Sequence, residues 1–191
     1  SIVDDYGHTP LHTACQEGHT DIVEMLLEHG VDMEGRNNNN DTPFLLACLY
    51  GHMKTAQLLE QKGADVTAVG RYGWSALQNA AYGGHTELVS YLIESGLDIE
   101  GKDIAGQTPL YLASWKGKVD TAKLLLDKDA SVDTAQESGW TPLPSACYEG
   151  HTDIAALLVE RGADMNRRTN SGQTPLQLAR SQGKQDTVEF L

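Results

Sequence analysis

Four histidines, His19, His52, His85 and His151, and three cysteines, Cys15, Cys48 and Cys147, stand 33 residues apart or a multiple of 33 apart. Imidazole and thiolate are the donors that bind zinc, and imidazole also carries protons near neutral pH. Either chemistry needs several such groups at one point, whereas this spacing gives one histidine to each segment. Every one of the four follows a glycine, Gly18, Gly51, Gly84 or Gly150, so a repeated structural hydrogen bond is the expected role. The cysteines share one register position. Neighbouring helices pack roughly 8–10 Å apart, while a disulfide needs Cα atoms within about 7 Å. Three buried free thiols are expected, with no metal, in a reducing compartment. No Cys-x-x-Cys, His-Glu-x-x-His, phosphate-binding loop or Gly-x-Ser-x-Gly occurs, so no catalytic constellation and no cofactor are expected. Asn40-Asp41-Thr42 matches the glycosylation triplet, which matters only to a secreted chain.

The elements behind this spacing repeat with it. Thr9-Pro10-Leu11 returns as Thr42-Pro43-Phe44, Ser75-Ala76-Leu77, Thr108-Pro109-Leu110, Thr141-Pro142-Leu143 and Thr174-Pro175-Leu176, with no insertion. Turn glycines fall at 18, 51, 84, 117, 150 and 183, and alanines at 14, 47, 80, 113, 146 and 179. A further glycine precedes each tripeptide, with Asn40 in one slot, and another closes each unit, with Asp129 once in its place. Asparagine tolerates a left-handed backbone best after glycine, so the Asn40 exception fits. A fixed register of this length specifies a stacked array.

Within a unit, Thr9 caps a helix whose first position is Pro10, where a missing N–H costs nothing. Leu11, Ala14 and Cys15 share one face of it. A second helix starts near Thr20, with Asp21 by its positive end and Ile22, Val23, Leu26 and Leu27 as an apolar stripe. Gly30 ends it, and a polar turn leads to the next unit. Pro144 falls in the first turn of its helix, where free amides tolerate it.

The run Gly7-His8-Thr9-Pro10-Leu11-His12-Thr13-Ala14, followed by Gly18-His19, Met25-Leu26-Leu27 and Gly30-Val31-Asp32, resembles an ankyrin repeat. The resemblance covers the chain in units of about 4–36, 37–69, 70–102, 103–135, 136–168 and 169–191. It implies one all-α solenoid over 1–191, built of helix-turn-helix units joined by β-hairpin-like turns. Small inner and large outer side chains should curve the stack. A protein-binding concave side lined by turn tips and inner helices would result. In this setting the resemblance also makes Asn166 a candidate for asparaginyl hydroxylation.

The formal charge of -13 argues against a nucleic-acid partner, which needs clustered lysine and arginine. No apolar run is long enough to span a membrane, and no signal peptide opens the chain. An intracellular monomer, cytoplasmic or nuclear, is expected.

Tyr6, Tyr50, Tyr72, Trp74, Tyr82, Trp115, Trp140 and Tyr148 hold positions that are free to vary on the expected concave side. Tryptophan and tyrosine there suit hot spots, and the interleaved Arg71, Lys116 and Glu149 would tune partner choice. Repeats three to five, centred on Trp115, are the expected docking groove for a peptide or protein edge. The alternative is a reader of a methyl-lysine peptide or small ligand, with Trp74, Tyr82 and Trp115, or Trp115, Trp140 and Tyr148, converging on one cation within about 6 Å. The first repeat lacks a polar outer cap, whereas the last is polar. A regulatory domain cut from a larger protein fits that asymmetry.

Overall fold

A computed structural model describes residues 3–191. Twelve helices occur among them, with no strand. The chain forms two compact units, Ser1–Leu97 and Asp98–Leu191. In the first, α1 (Pro10–Gln16), α3 (Pro43–Leu49) and α5 (Ala76–Gly83) pack side by side as inner helices. Each carries an outer partner: α2 (Thr20–Glu28), α4 (Met53–Gln61) and α6 (Thr86–Glu94). The second repeats this plan with inner helices α7 (Pro109–Trp115), α9 (Pro142–Glu149) and α11 (Pro175–Ser181). Its outer helices are α8 (Val119–Asp127), α10 (Thr152–Glu160) and α12 (Gln185–Phe190).

The inner helices are one face of small and apolar residues. Leu11, Cys15, Ala47, Cys48, Leu77, Ala80, Ala113, Ala146 and Cys147 are all fully buried, and close approach of neighbouring helices follows from their size. Each helix begins where the tripeptide predicts. The hydroxyls of Thr9, Thr42, Ser75, Thr108 and Thr174 accept the amides of His12, Leu45, Gln78, Tyr111 and Gln177. In three of these the side chain of the third helical residue, His12, Gln78 or Gln177, bonds back to the cap. Such reciprocal caps satisfy two free amides at once.

The first outer helix departs from the expected stripe. Val23 is buried, but Ile22 is exposed and Leu26 and Leu27 are only half-buried. The residues at the Ile22 position in later repeats, Thr55, Leu88, Ile154 and Thr187, are buried. Thr55 meets Thr20 of the preceding outer helix through a hydroxyl pair at 2.8 Å, as Thr187 meets Thr152. That position therefore faces the preceding repeat, and in α2 no described residue supplies one.

The hairpin-like turns are held by short polar side chains. Asp4 accepts the amides of Tyr6 and His8, Asn37 those of Asn39 and Asp41, and Asp103 those of Ala105 and Gln107. Single backbone bonds then tie tip to tip, Asn38 to the Tyr6 carbonyl in the first unit, Glu137 to Ala105 and Asn170 to Ser138 in the second. Asn40 takes the left-handed backbone expected of it, and Asp129 does the same.

Candidate functional site

The third hairpin departs from the first, second and fourth. Its first residue is Gly70, where Asp4, Asn37 and Asp103 supply a side chain. A Cβ on Gly70 would collide with the carboxylate of Asp41, one repeat earlier. Asp41 reaches in from across the repeat boundary instead, its Oδ1 accepting the Arg71 amide at 2.9 Å, one residue earlier in the turn than the amides held by Asp4, Asn37 and Asp103. Burial pushes the Asp41 carboxyl above its ordinary pKa, opposed by the bond from Arg71 and its charge. The backbone bonds of the turn, Gly70 N–H to the Trp74 carbonyl and Gly73 N–H to the Gly70 carbonyl, repeat those of the first two hairpins, but Tyr72 sits at φ 61. A bulky residue in the left-handed region is a real outlier that costs on the order of 1–3 kcal/mol.

Tyr72 is nevertheless half exposed, and it heads a stack of rings. The Arg71 guanidinium carbon lies 4.5 Å from the Tyr72 ring centre. Tyr72 and Trp74 are 5.8 Å apart, and Trp74 and Tyr82 are 4.8 Å apart. Tyr50, at the C-terminal end of α3, is 47% exposed.

The remaining candidates gather in the second unit. The Trp115 indole N–H donates to Glu149 Oε1 at 3.1 Å, and the Lys116 ammonium lies 5.3 Å from the Trp115 ring. Trp140 and Tyr148 meet edge to face at 5.4 Å. Sequence alone put all three tryptophans at solvent-facing positions; each is in fact half-buried. An indole beside a tyrosine one short helix away packs against it rather than extending into water. The most exposed rings are tyrosines, Tyr6 at 70% and Tyr50 and Tyr72 near half.

The periodic histidines bridge repeats. His52, His85 and His151 reach the carbonyls of Gln16, Leu49 and Trp115 through Nε2 at 2.8, 2.9 and 3.1 Å. Their rings lie over Gly18, Gly51 and Gly117, leaving no room for a Cβ there. His19, in the first repeat, is exposed. Among the described residues no group of histidine, cysteine and carboxylate side chains is arranged to hold a metal. All three cysteines are buried and unpaired with one another, and burial pushes the Cys15 and Cys147 thiols up to about 12. Thiols so far from ionisation are poor nucleophiles.

Asn166 is exposed in the turn after α10, where its backbone N–H donates to Asp164 Oδ1. Thr42 of the glycosylation triplet is fully buried as a helix cap.

Two structural residues escaped the reading of the sequence. His12 is completely buried, with Nδ1 on the Thr9 hydroxyl at 2.8 Å and Nε2 on the Asp41 carbonyl at 3.2 Å. The signal was its register with Gln78 and Gln177. Asp41 was legible only jointly with Gly70, as an extra carboxylate beside a missing one.

No described residue lies in a helix long and apolar enough to cross a membrane. No individually curated protein matches the chain. A family profile described as Ankyrin repeats (3 copies) matches residues 1–70, 68–136 and 131–191, and repeats of this kind generally serve as protein–protein interaction modules. Paired helices with capped Thr-Pro starts, left-handed turn glycines and histidine bridges at 33-residue intervals agree with that match over the described length, and the chain belongs to the ankyrin-repeat family.

Proposed function

We propose that residues 1–191 act as one non-catalytic interaction array of six repeats, binding a peptide or protein edge on the face of hairpin tips and inner-helix ends. The docking residues are Arg71, Tyr72, Trp74 and Tyr82 of the third repeat in the first unit, with Tyr50 at their margin, and Trp115, Lys116, Trp140, Tyr148 and Glu149 of the fourth and fifth repeats in the second. The observation behind this reading is Tyr72, a half-exposed ring at φ 61. Strain kept at an exposed aromatic is the kind of feature that recognition sites retain. Mixed charge around the rings supports selection among partners more than raw affinity. The array works as an intracellular monomer in this reading, and a regulatory role inside a larger protein is compatible with it.

Affinity capture from cell extract with the intact chain and a Trp74/Trp115/Trp140 triple-alanine variant tests it. A protein retained by the first and lost by the second is the expected result, provided both have the same far-ultraviolet circular dichroism. Equal retention by the two would take the three tryptophans out of the binding surface.

A further inference from the structure

We propose that the hairpin-tip face of the first unit selects a basic peptide segment, one of whose arginine or lysine side chains sits between Glu17 and Tyr50. This rests on the interaction reading and names the chemistry of its partner. Glu17 and Tyr50 are equivalent residues, the C-terminal caps of the adjacent inner helices α1 and α3. They stand about one helix spacing apart, roughly 8–10 Å, and both are exposed. A carboxylate on one side and an aromatic face on the other is the pairing that holds a cation, through charge and through the ring quadrupole. The Glu17 carboxylate already accepts the Gln16 side-chain amide at 3.2 Å, and an ionised carboxylate has room for further donors.

The surroundings favour a cation over an anion. Asp5 is exposed on the first tip, and Asn38, Asn39 and Asn40 present neutral amides on the second. The basic group on the third tip, Arg71, lies against Tyr72 and close to the Asp41 charge. Residues 1–97 as a whole carry thirteen aspartates and glutamates against four lysines and arginines, a field that draws basic segments in and repels acidic ones. The second unit differs in both respects. It carries fourteen acidic against ten basic side chains, and Lys116 occupies the position of Tyr50.

The test uses the full chain and three fluorescein-labelled nonapeptides, alternating Arg/Ser, Lys/Ser and Asp/Ser, read by fluorescence anisotropy at low and high salt. The Arg/Ser or Lys/Ser peptide should bind and weaken with salt, while Asp/Ser should not bind. Tyr50→Ala and Glu17→Gln, both at exposed positions, should each weaken the basic peptide at least threefold with unchanged thermal stability. Binding of Asp/Ser, no binding of either basic peptide, or basic binding indifferent to both substitutions would overturn the proposal. Peptide display on the same chain separates this from the broader reading. Selected peptides that need Trp74, Trp115 and Trp140 but carry no basic residue would sink the basic segment and leave the interaction array standing. Basic peptides that are indifferent to those tryptophans but lost with Glu17 or Tyr50 would move the docking surface to the first unit and leave the basic segment standing.

Discussion

The Thr141 hydroxyl is buried without a hydrogen-bond partner, and Pro144 is the reason. Five other caps in this chain bond to the amide of the third helical residue; here that residue is proline and has no N–H to give. The cap position is kept and the cap bond is lost. Burying an unpaired hydroxyl costs about 1–3 kcal/mol.

One substitution should therefore change sign with position. Thr108→Val removes a working cap and should cost about 0.5–2 kcal/mol, since the Thr108 hydroxyl accepts the Tyr111 amide at 3.3 Å. Thr141→Val removes an unpaired hydroxyl at nearly constant volume and should stabilise by about 1 kcal/mol. Urea denaturation of the two variants decides it, and loss of stability in both would mean that Thr141 has a partner, such as a bound water.

Proline in the first turn is harmless to the backbone, because first-turn amides have no helical acceptor, but it deprives the side chain at the cap of its donor. Most of the fold was legible in this way, because register, caps and turn glycines are local and the sequence states them six times. The third hairpin was not legible position by position. Asp41 and Gly70 are 29 residues apart, and neither is unusual until the repeat boundary brings them together. Trp74 and Trp140 are more covered than their varying positions suggest for a related reason: a varying position says that the stack does not need that residue, not that its ring avoids the neighbouring tyrosine.

Gly70 and Asp41 should behave as one unit. Gly70→Ala forces a methyl onto the Asp41 carboxylate and should destabilise by about 1–3 kcal/mol, as overpacking does. Asp41→Ala alone loses the bond to the Arg71 amide. The double variant relieves the collision, so its cost should fall short of the sum of the two single costs, a coupling measurable by a double-mutant cycle. Strict additivity would remove Asp41 as the organiser of the Tyr72 hairpin.

His12 gives the chain a pH dependence of calculable sign. Burial lowers its pKa below the ordinary 6.5, the neighbouring His8 acting the same way, while the bond to the Asp41 carbonyl opposes. The unfolded chain then takes up a proton near pH 6.5 that the folded chain still refuses, so stability falls as pH drops from there and levels off below the folded pKa. His12→Gln should keep the reciprocal cap, as Gln78 and Gln177 do, and flatten that slope. Stability measured from pH 8 to 5 in both proteins checks it; parallel slopes would assign the dependence elsewhere.

Trp115 and Leu125 should separate binding from folding. Leu125 is fully buried in α8, and Leu125→Ala should cost about 2–5 kcal/mol of stability through the cavity it leaves. Trp115→Ala should cost on the order of 2 kcal/mol of partner binding if the indole is a hot spot. Because its ring is half-buried and its N–H is held by Glu149, some stability must go with it. Trp115→Phe distinguishes the two contributions, since it keeps most of the packing and loses the N–H. Affinity reduced in both Trp115 variants, with stability largely restored in the phenylalanine form, is the expected pattern. Full stability loss with unchanged affinity would make Trp115 a packing residue and shift the docking surface to the exposed tyrosines.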